Sequence, residues 1–377
     1  MTSNFLNIIF ICSSLEEGAD GVGDYTRRLS AALISKGHQC AIAAVNDIYI
    51  NEIVEGSSET GNIQIPVIRI PSVYDKQKRL AIAKDFVNKI DPQWLSLQYV
   101  PFGYHPKGLK LGLSRFMFSL SKGRKWHIMF HELWVGMAME ESNKLVLWGK
   151  LQRQFIRKLI KITHPQVIHT QTRLYQRHLQ RMGFNADYLP LFSNIPVTTR
   201  SFESERKEIA LVIFGSIHDK APIELFAAEA SRYAQAHNTP VSLTIIGRGN
   251  AEQERWANVW KMNGMPVDVL GEQSPERISE ILANSTYGIS ATALAVIEKS
   301  GSVAAMREHG LTVISVAKPW HPHKMMPIAI PEGVVEYRTG NFEECINFNR
   351  SVPHINSVIN VSVKFADALI GYNPANN

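Results

Sequence analysis

The 377-residue sequence contains only three cysteines, Cys12, Cys40 and Cys345, and none of them belongs to a Cys-x-x-Cys pair. Thiols this sparse exclude a disulfide framework and a cysteine zinc site, and they favour a reducing compartment. No apolar run reaches the roughly 20 residues that a membrane-spanning helix needs. The N-terminus has no basic region before its short apolar run, so it predicts a buried first strand and not a signal peptide.

Several catalytic motifs are missing as well. The chain has no HExxH, P-loop or GxSxG pattern, and no Asp-x-Asp pair that would hold a divalent cation beside a diphosphate. The sequence therefore predicts no metal site. What is present, 45% hydrophobic and 20% charged residues, is typical of a globular protein of two domains.

Positive charge is concentrated in one region. Residues 107–181 contain 15 Lys or Arg and only 3 Asp or Glu, with aromatic residues among them. Within this region, residues 150–161 have the pattern of a basic amphipathic helix. Three interpretations remain open: a nucleic-acid surface, a membrane surface, or an ordinary helix with a solvated charged face.

Apolar strand-like runs alternate with helical patterns along the whole chain, which predicts βαβ units and parallel sheets covered by helices. The pattern begins with a strand over Asn7–Cys12 and restarts at Ile209–Phe214, after a polar stretch at 198–208. We therefore predict two similar α/β domains, over 1–200 and 201–355. Residues 356–377 are predicted to form a helix that crosses back to the first domain.

Gly21 and Gly23 stand between the first strand and a helical pattern at 26–36. Glycines let a backbone approach a ligand closely, and a helix start favours an anion. A dinucleotide fingerprint would need a third glycine where Thr26 stands, although Asp47 matches its ribose-binding acid. A nicotinamide site and a turn without ligand both remain open.

The second half of the chain contains further candidates. Residues 298–302, Glu-Lys-Ser-Gly-Ser, precede a helix and could wrap a phosphate, but a plain serine N-cap explains the same pattern. Lys220 lies between a strand and a helix, where a lysine can pair with a phosphate or be solvated. In the first half, His131 follows a strand, and ligands of parallel sheets bind at the carboxyl ends of strands.

Together these residues resemble the GT-B glycosyltransferases, in particular retaining family 4, over most of the chain. Residues 21–25 resemble the glycine loop and first helix of that family, and 131–132 resemble its His-Asp/Glu. Residues 300–302 and 310–314 resemble its donor-phosphate helix and the strand that follows.

The resemblance implies an α/β fold of two Rossmann-like, doubly wound domains that face each other across a cleft. The nucleotide sugar would lie mostly on the second domain, and the reaction would need no metal and no cofactor. The implied catalytic residues are His131, Glu298 and Asp24. The implied donor-binding residues are Gly21, Gly23, Ser216, Lys220, Arg248, Leu270, Gly271, Lys299, Ser300, Gly301 and Ser302.

The implied activity is retaining hexosyl transfer from UDP-glucose, with GDP-mannose as the second choice, to a glycan or lipid-linked acceptor in polysaccharide biosynthesis. The implied place is the cytoplasm, at the inner face of an anionic membrane, with no nucleic-acid partner. Two positions depart from the family: Ser216 replaces its phosphate-binding arginine, and Met306 replaces its second glutamate. These departures leave an inactive GT-B-like binding scaffold as one alternative, and the partial dinucleotide fingerprint leaves an NAD(P)-dependent oxidoreductase as another.

Overall fold

The structure is a computed structural model that describes residues 5–198, 208–215, 217, 219–323, 328–348 and 357–372. It divides into two compact units. Unit 1 comprises Met1–Pro190 with Val358–Asn377, and unit 2 comprises Leu191–Ser357. The division falls about ten residues before the predicted position at 200/201. Ile195 explains this difference, because it packs into an apolar core of unit 2.

Unit 1 contains an eight-stranded sheet in the order β3-β4-β2-β1-β5-β6-β7-β8. All neighbouring pairs are parallel except β3 with β4. Its strands are β1 Asn7–Cys12, β2 Gln39–Asp47, β3 Val54–Thr60, β4 Ile63–Pro71, β5 Trp94–Tyr99, β6 Lys125–Phe130, β7 Val167–Thr170 and β8 Asp187–Tyr188. Its helices before the division are α1 Gly21–Ile34, α2 Lys76–Ile90, α3 Pro101–Tyr104, α4 Leu113–Phe118, α5 Asn143–Thr163 and α6 Arg173–Arg181.

Unit 2 contains a six-stranded, wholly parallel sheet in the order β11-β10-β9-β12-β13-β14. Its strands are β9 Ile209–Phe214, β10 Val241–Ile246, β11 Val267–Gly271, β12 Tyr287–Ser290, β13 Thr312–Ser315 and β14 Val334–Glu336. Its helices are α7 Ile223–His237, α8 Ala251–Met262, α9 Pro275–Asn284, a 3₁₀ helix at Leu294–Lys299, α10 Gly301–Glu308 and α11 Phe342–Ile346.

The last helix, α12 at Val358–Ile370, belongs to unit 1 although it follows unit 2 in the chain. It packs against α1, and its Phe365 ring stacks on Phe10 of β1 with 5.6 Å between the ring centroids. Phe365 is fully buried, so apolar burial of this kind, worth roughly 2 kcal/mol for one large side chain, holds α12 on the unit.

The predicted α/β class and the parallel sheets are confirmed, because buried apolar runs are a strong strand signal. The hairpin of β3 and β4 was not predicted. β3 is polar and almost wholly exposed at the edge of the sheet, so it carries no apolar alternation. The first helix was predicted from residue 26 and begins at Gly21, because Asp20 caps it and overrides the poor helix propensity of two glycines.

Candidate functional site

Both sheets have a point where the strand order reverses. In unit 1 the chain moves outward from β1 to β2 and later from β5 to β6, so the reversal lies between β1 and β5. In unit 2 it lies between β9 and β12. Open parallel sheets bind ligands outside the carboxyl ends of the strands at such a reversal. Each unit therefore has one expected ligand position, defined by the residues that follow these strands.

Three neighbouring strands of unit 2 end in glycines with left-handed backbone angles. The φ angles are 94° at Gly215, 137° at Gly247 and 67° at Gly271. The Gly247 N–H donates to the Gly271 carbonyl at 2.9 Å, and a Cβ atom added to Gly247 would stand 3.1 Å from the Gly215 oxygen. The backbone angle disfavours side chains at all three positions, and at Gly247 space is tight as well. This part of the edge presents backbone.

The N-terminus of α10 lies beside this glycine edge. Ser300 is its N-cap, since the Val303 N–H donates to Ser300 Oγ at 3.4 Å, and the hydroxyls of Ser300 and Ser302 are 3.0 Å apart. A Cβ atom added to Gly215 would stand 3.6 Å from that of Ser302, whereas one added to Gly301 would meet nothing within 4 Å. The N-cap interpretation is confirmed, and open space remains in front of the first turn.

Glu298 and Lys299 lie in the 3₁₀ helix that follows β12 and precedes Ser300. Both are half-buried and both already interact with other groups. Met306, where the resembling family has its second glutamate, is fully buried, and its sulfur lies over Gly288 of β12. A carboxylate at 306 would be buried without solvent, so no second acid is available from this position.

The remaining candidates for binding the phosphate or the base are Lys220, Arg248 and Leu270. They differ in exposure and in ion pairing. Lys220 is exposed in a left-handed turn with φ 64°, and no ion pair engages it within the described residues. Arg248 pairs with Glu272 at 2.6 Å, and both side chains are largely solvated. Leu270 is partly exposed on the edge strand β11. Ser216 lies outside the described residues.

In unit 1, the N-terminus of α1 differs from the anion site expected at Gly21 and Gly23. Asp20 is the N-cap: its carboxylate accepts from the Val22 N–H at 3.1 Å and from Ser14 Oγ at 2.6 Å. A negative side chain thus occupies the end of the helix that would attract a phosphate. Both glycines have ordinary helical angles, so they form a capped helix start, and their part in donor binding stays a prediction.

Asp24 lies one turn further along α1 and holds the preceding loop. Its carboxylate accepts from the Gly18 N–H at 3.2 Å and pairs with Arg27 at 3.0 Å. Arg27 also donates to the Leu15 carbonyl. Burial raises the pKa of Asp24, although the Gly18 hydrogen bond and Arg27 act in the opposite direction. Through these contacts Asp24 stabilises the conformation of residues 15–24.

A cavity of about 330 Å³ opens at the reversal point of the unit 1 sheet. It is lined by Ser13 and Ser14 after β1, by Ala19 and the N-cap Asp20 before α1, and by Gly21 and Val22 of its first turn. The rest of the lining comes from the end of β2 and from the residues after β2 and β5, which are Asn46, Ile48, Tyr49, Val100, Phe102, Gly103, Tyr104, His105 and Pro106. Hydroxyl, amide and imidazole groups beside aromatic rings are suited to a polar organic ligand such as a sugar.

His131 is buried beneath this region and is fully hydrogen-bonded. Its ring contacts the Tyr25 ring edge-on at 4.9 Å, and its Nε2 donates to Gln98 Oε1 at 2.9 Å. Burial lowers the pKa of His131 to about 4, and a hydrogen bond with Gln171 opposes that shift only in part. The ring is therefore neutral near pH 7, and it supports the first turn of α1 through Tyr25.

Gln98 extends this contact into a chain of buried polar groups that sequence reasoning missed. Gln98 Nε2 donates to Ser96 Oγ at 2.8 Å, Ser96 Oγ bonds to His127 Nδ1 at 2.8 Å, and His127 Nε2 bonds to His169 Nδ1 at 3.0 Å. Alternating polar residues on β5 and β6 were the available signal, but each stands within an apolar run that predicts only a buried strand.

Two further features of the described chain bear on function. No group of three or more His, Cys, Asp or Glu side chains in it is arranged to hold a metal ion. No helix within the described ranges is both long and apolar enough to cross a bilayer.

The chain matches no protein-family model and no curated protein sequence. Solved structures do match over nearly its whole length. Anabaena Alr3699/HepE, in complex with UDP and glucose, has a TM-score of 0.58 at 11% identity, over 97% of this chain and 99% of that one. The lipopolysaccharide outer core galactosyltransferase WaaB has a TM-score of 0.54 at 14% identity, over 97% and 99% of the two chains.

A third match is the UDP-forming α,α-trehalose-phosphate synthase of Burkholderia xenovorans in complex with glucose-6-phosphate. Its TM-score is 0.55 at 10% identity, over 97% of this chain and 100% of that one. The chain has the GT-B fold. The resemblance inferred from the sequence is thus confirmed at the level of the fold, while membership of family 4 stays a prediction. At these identities the likeness carries no substrate or residue role.

Proposed function

We propose that this GT-B protein is a retaining, metal-independent hexosyltransferase, which uses a nucleotide sugar to extend a glycan or lipid-linked acceptor in polysaccharide biosynthesis. The observation that carries the proposal is the carboxyl edge of the unit 2 sheet. There the glycines Gly215 and Gly247 and the open first turn of α10 meet at the reversal of strand order. Such an edge admits a flat, anionic ligand to close contact with backbone N–H groups.

The donor diphosphate is assigned to the first turn of α10. The N–H groups of residues 301–302, the Ser300 and Ser302 hydroxyls and the helix dipole would stabilise the leaving group, and Lys220 would add a full positive charge. A base would lie by Leu270 and Gly271, with Glu298 accepting hydrogen bonds from sugar hydroxyls. Lys299 and Arg248 are assigned to the rim of the same site. This set supplies positive field without a divalent ion, which supports metal-independent transfer.

The acceptor is assigned to the 330 Å³ cavity of unit 1. Neutral His131 supports Tyr25 and so fixes the turn of α1 that lines this cavity. Asp24 contributes by holding residues 15–24 in shape, and Gly21 leaves space at the wall of the cavity. Because the Asp20 carboxylate also lines it, an uncharged hydroxylated group suits its inner wall better than a phosphate.

UDP-glucose is the proposed donor and GDP-mannose the second choice. Two similar folds point to uridine: HepE was solved with UDP and glucose, and the trehalose-phosphate synthase is described as UDP-forming. The base edge in this chain is formed by backbone at Gly271 and by Leu270, and the neighbouring Glu272 carboxylate is already paired with Arg248.

The location proposed is the cytoplasm, with peripheral attachment to an anionic inner membrane surface. The outer face of α5 supports attachment: it exposes Leu147 by 61% and Leu151 by 51%, beside Lys144, Lys150 and Lys158. Exposed leucines bordered by lysines suit a negatively charged lipid surface, where each lysine near the surface contributes about 1 kcal/mol.

A catalytically inactive GT-B-like scaffold is the second candidate, and Met306 is the observation that favours it. Its burial removes one acid that the resembling family uses. An NAD(P) oxidoreductase is less well supported, since the Asp20 carboxylate occupies the helix start that would receive the pyrophosphate.

A screen of nucleotide sugars tests the proposal. The protein is incubated with UDP-glucose, GDP-mannose, UDP-galactose or NADPH in the presence of EDTA, and thermal shift and slow donor hydrolysis are measured. Stabilisation and hydrolysis with one nucleotide sugar are expected. Stabilisation without hydrolysis or transfer would favour the scaffold, a response to NADPH alone would favour the oxidoreductase, and loss of all turnover in EDTA would contradict metal independence.

A further inference from the structure

The segment between α3 and α4 is fixed to α5. The Lys107 carbonyl accepts from Trp148 Nε1 at 2.8 Å and from Gln152 Nε2 at 3.0 Å. Gly108 has a φ of 62°, and an added Cβ atom would collide with Gln152 at 2.5 Å, so the segment fits closely against the helix. This anchored segment nevertheless holds Leu111 with 81% of its surface exposed. An anchored backbone that presents an apolar side chain to water is a mark of a contact surface.

Two cavities flank this segment, and both are lined by cations. The larger, of about 170 Å³, lies between the segment and α5, where Phe155 and Leu159 form an apolar wall beside Lys110 and Lys158. The smaller lies towards the end of β2 and is lined by Lys76, Arg79 and again Lys110, with Leu111 and Leu113. Neither lining includes an aspartate or glutamate.

The cations of the smaller cavity form no ion pair with a carboxylate of the described chain. Arg79 is only 7% exposed, yet it donates to the Val45 and Tyr74 carbonyls and to Asn46 Oδ1, all of which are uncharged. Burial lowers the pKa of Lys110, and the charge of Arg79 lowers it further. Within the described chain, no ion pair involves Lys76, Arg79, Lys110 or Lys158. Burial lowers the pKa of Arg79, and the Asp75 carboxylate opposes that shift only in part. An incoming anion would therefore offset the remaining cost of burying this cation.

We propose that Lys76, Arg79 and Lys110 bind the phosphate group of a membrane lipid, whose apolar chain lies along Leu111 and Phe155 in the groove beside α5. Arginine and lysine are the usual partners of phosphate, and the adjoining apolar wall favours a phosphate that carries a hydrocarbon chain. The inference rests on the proposed function and narrows its acceptor to a lipid phosphate. Asn46 and Tyr104 line both the smaller cavity and the proposed acceptor cavity, so a sugar attached to that phosphate would reach the latter.

Vesicle co-sedimentation tests this site without any nucleotide sugar. The intact protein is mixed with phosphatidylcholine vesicles that carry either polyprenyl phosphate or an equal charge of oleate. About tenfold tighter binding to the phosphate vesicles is expected, because phosphate accepts more hydrogen bonds from these side chains than a carboxylate does. Equal binding to both vesicles would overturn the proposal.

Paired variants separate a site from general attraction. K76Q/K110Q should weaken binding to the phosphate vesicles about tenfold, while K261Q/K364Q, which removes the same charge from exposed positions of α8 and α12, should weaken it about twofold or less. Equal losses in the two variants would contradict a defined site. Leu111→Gln, which removes apolar surface at an exposed position without adding charge, should weaken vesicle binding but leave the affinity for inorganic pyrophosphate unchanged.

Pyrophosphate distinguishes a lipid from a free phosphate. If pyrophosphate at low millimolar concentration protects Lys110 from acylation as well as the phosphate vesicles do, the lipid assignment is wrong. No donor is present in these assays, so they do not depend on the proposed transfer reaction. K76Q/K110Q should lose lipid binding and still hydrolyse the donor. A donor-site variant that loses donor hydrolysis but keeps lipid binding would contradict the proposed function and leave this inference standing. Circular dichroism confirms that each variant is folded.

Discussion

The carboxyl edges of the two sheets are built in opposite ways. In unit 2 the edge is mainly backbone, with glycines at the ends of β9, β10 and β11 and a serine-capped helix beside them. In unit 1 the edge is formed by side chains: Asp20 caps α1, Asp24 holds the loop, and His131 is locked beneath Tyr25. The same α/β arrangement therefore yields one edge with room for an anion and one with a carboxylate in that place.

This difference assigns the anionic ligand to the unit 2 edge and an uncharged one to the unit 1 edge. A diphosphate gains from helix N–H groups and hydroxyls at α10, whereas at α1 it would face the Asp20 carboxylate. The glycines at 21 and 23 look like a phosphate loop in the sequence, yet they occupy a capped first turn. If the donor diphosphate binds at the unit 2 edge and the acceptor at the unit 1 edge, substitutions at the two edges should have different effects. The expected effects are given from the largest to the smallest.

Glu298→Gln should have the largest effect if chemistry occurs at the unit 2 edge. The amide keeps the size of the side chain but loses the charge that would strengthen hydrogen bonds to the sugar in the transition state, so kcat should fall by about 100-fold. Glu276→Gln, an exposed carboxylate on α9, serves as the control and should retain activity. Near-normal turnover of Glu298→Gln would remove this residue from the site.

Gly301→Ala and Gly21→Ala form a matched pair, because each glycine is the first residue of its helix and an added Cβ atom meets no protein atom within 4 Å at either position. The methyl group should raise the Kd of UDP about tenfold at 301, where it enters the space for phosphate, and by less than about twofold at 21. Isothermal titration measures both. A larger effect at 21 would reverse the assignment of the two edges.

Lys220→Asn tests the charge at the same edge. Asparagine tolerates the left-handed backbone of this turn, so the change removes charge with little strain. The affinity for UDP should fall about fivefold, because the variant removes the positive charge that contacts the diphosphate. The affinity for uridine should not change, because uridine has no phosphate. Arg248→Gln, which breaks a solvated pair with Glu272, should have a smaller effect on both ligands. Equal losses for UDP and uridine would count against a phosphate contact.

The buried histidines of unit 1 should make its stability depend on pH. The folded pKa values of His131 and His169 are lowered to about 4, mainly by burial, so the unfolded chain binds more protons below about pH 6.5. Stability is therefore fully present above pH 6.5 and falls as the pH decreases towards 4. Between pH 7.5 and 5.5 each such histidine should cost about 1 kcal/mol.

Urea unfolding at those two pH values measures this effect. His169→Gln should reduce the pH-dependent loss by about 1 kcal/mol, whereas His164→Asn, at an exposed left-handed position, should leave it as in the unchanged protein. A loss that is the same in all three proteins would show that the buried histidines are not its source.

The predictable part of the site follows from local pattern. Strand ends at Phe214 and Ile246 could be read from apolar runs followed by glycine. A serine N-cap was one of the two interpretations of residues 298–302, because serine before a helix is a strong local signal, and the cap is Ser300. Gln98 and Arg79 could not be found in this way. Their importance comes from partners on other elements, His131 and Asn46, which lie 33 residues away in each case.

The sequence by itself determined the α/β class, the parallel strands, the place of about half of the helices and the resemblance to the GT-B fold. These depend on hydrophobic periodicity and on glycine and capping residues, whose effects extend over only a few positions. The tertiary structure alone decided that Asp20 caps α1 and that Lys76, Arg79 and Lys110 share one cavity. The physical reason is that the order of strands in the sheet, which local pattern does not encode, determines which distant side chains become neighbours.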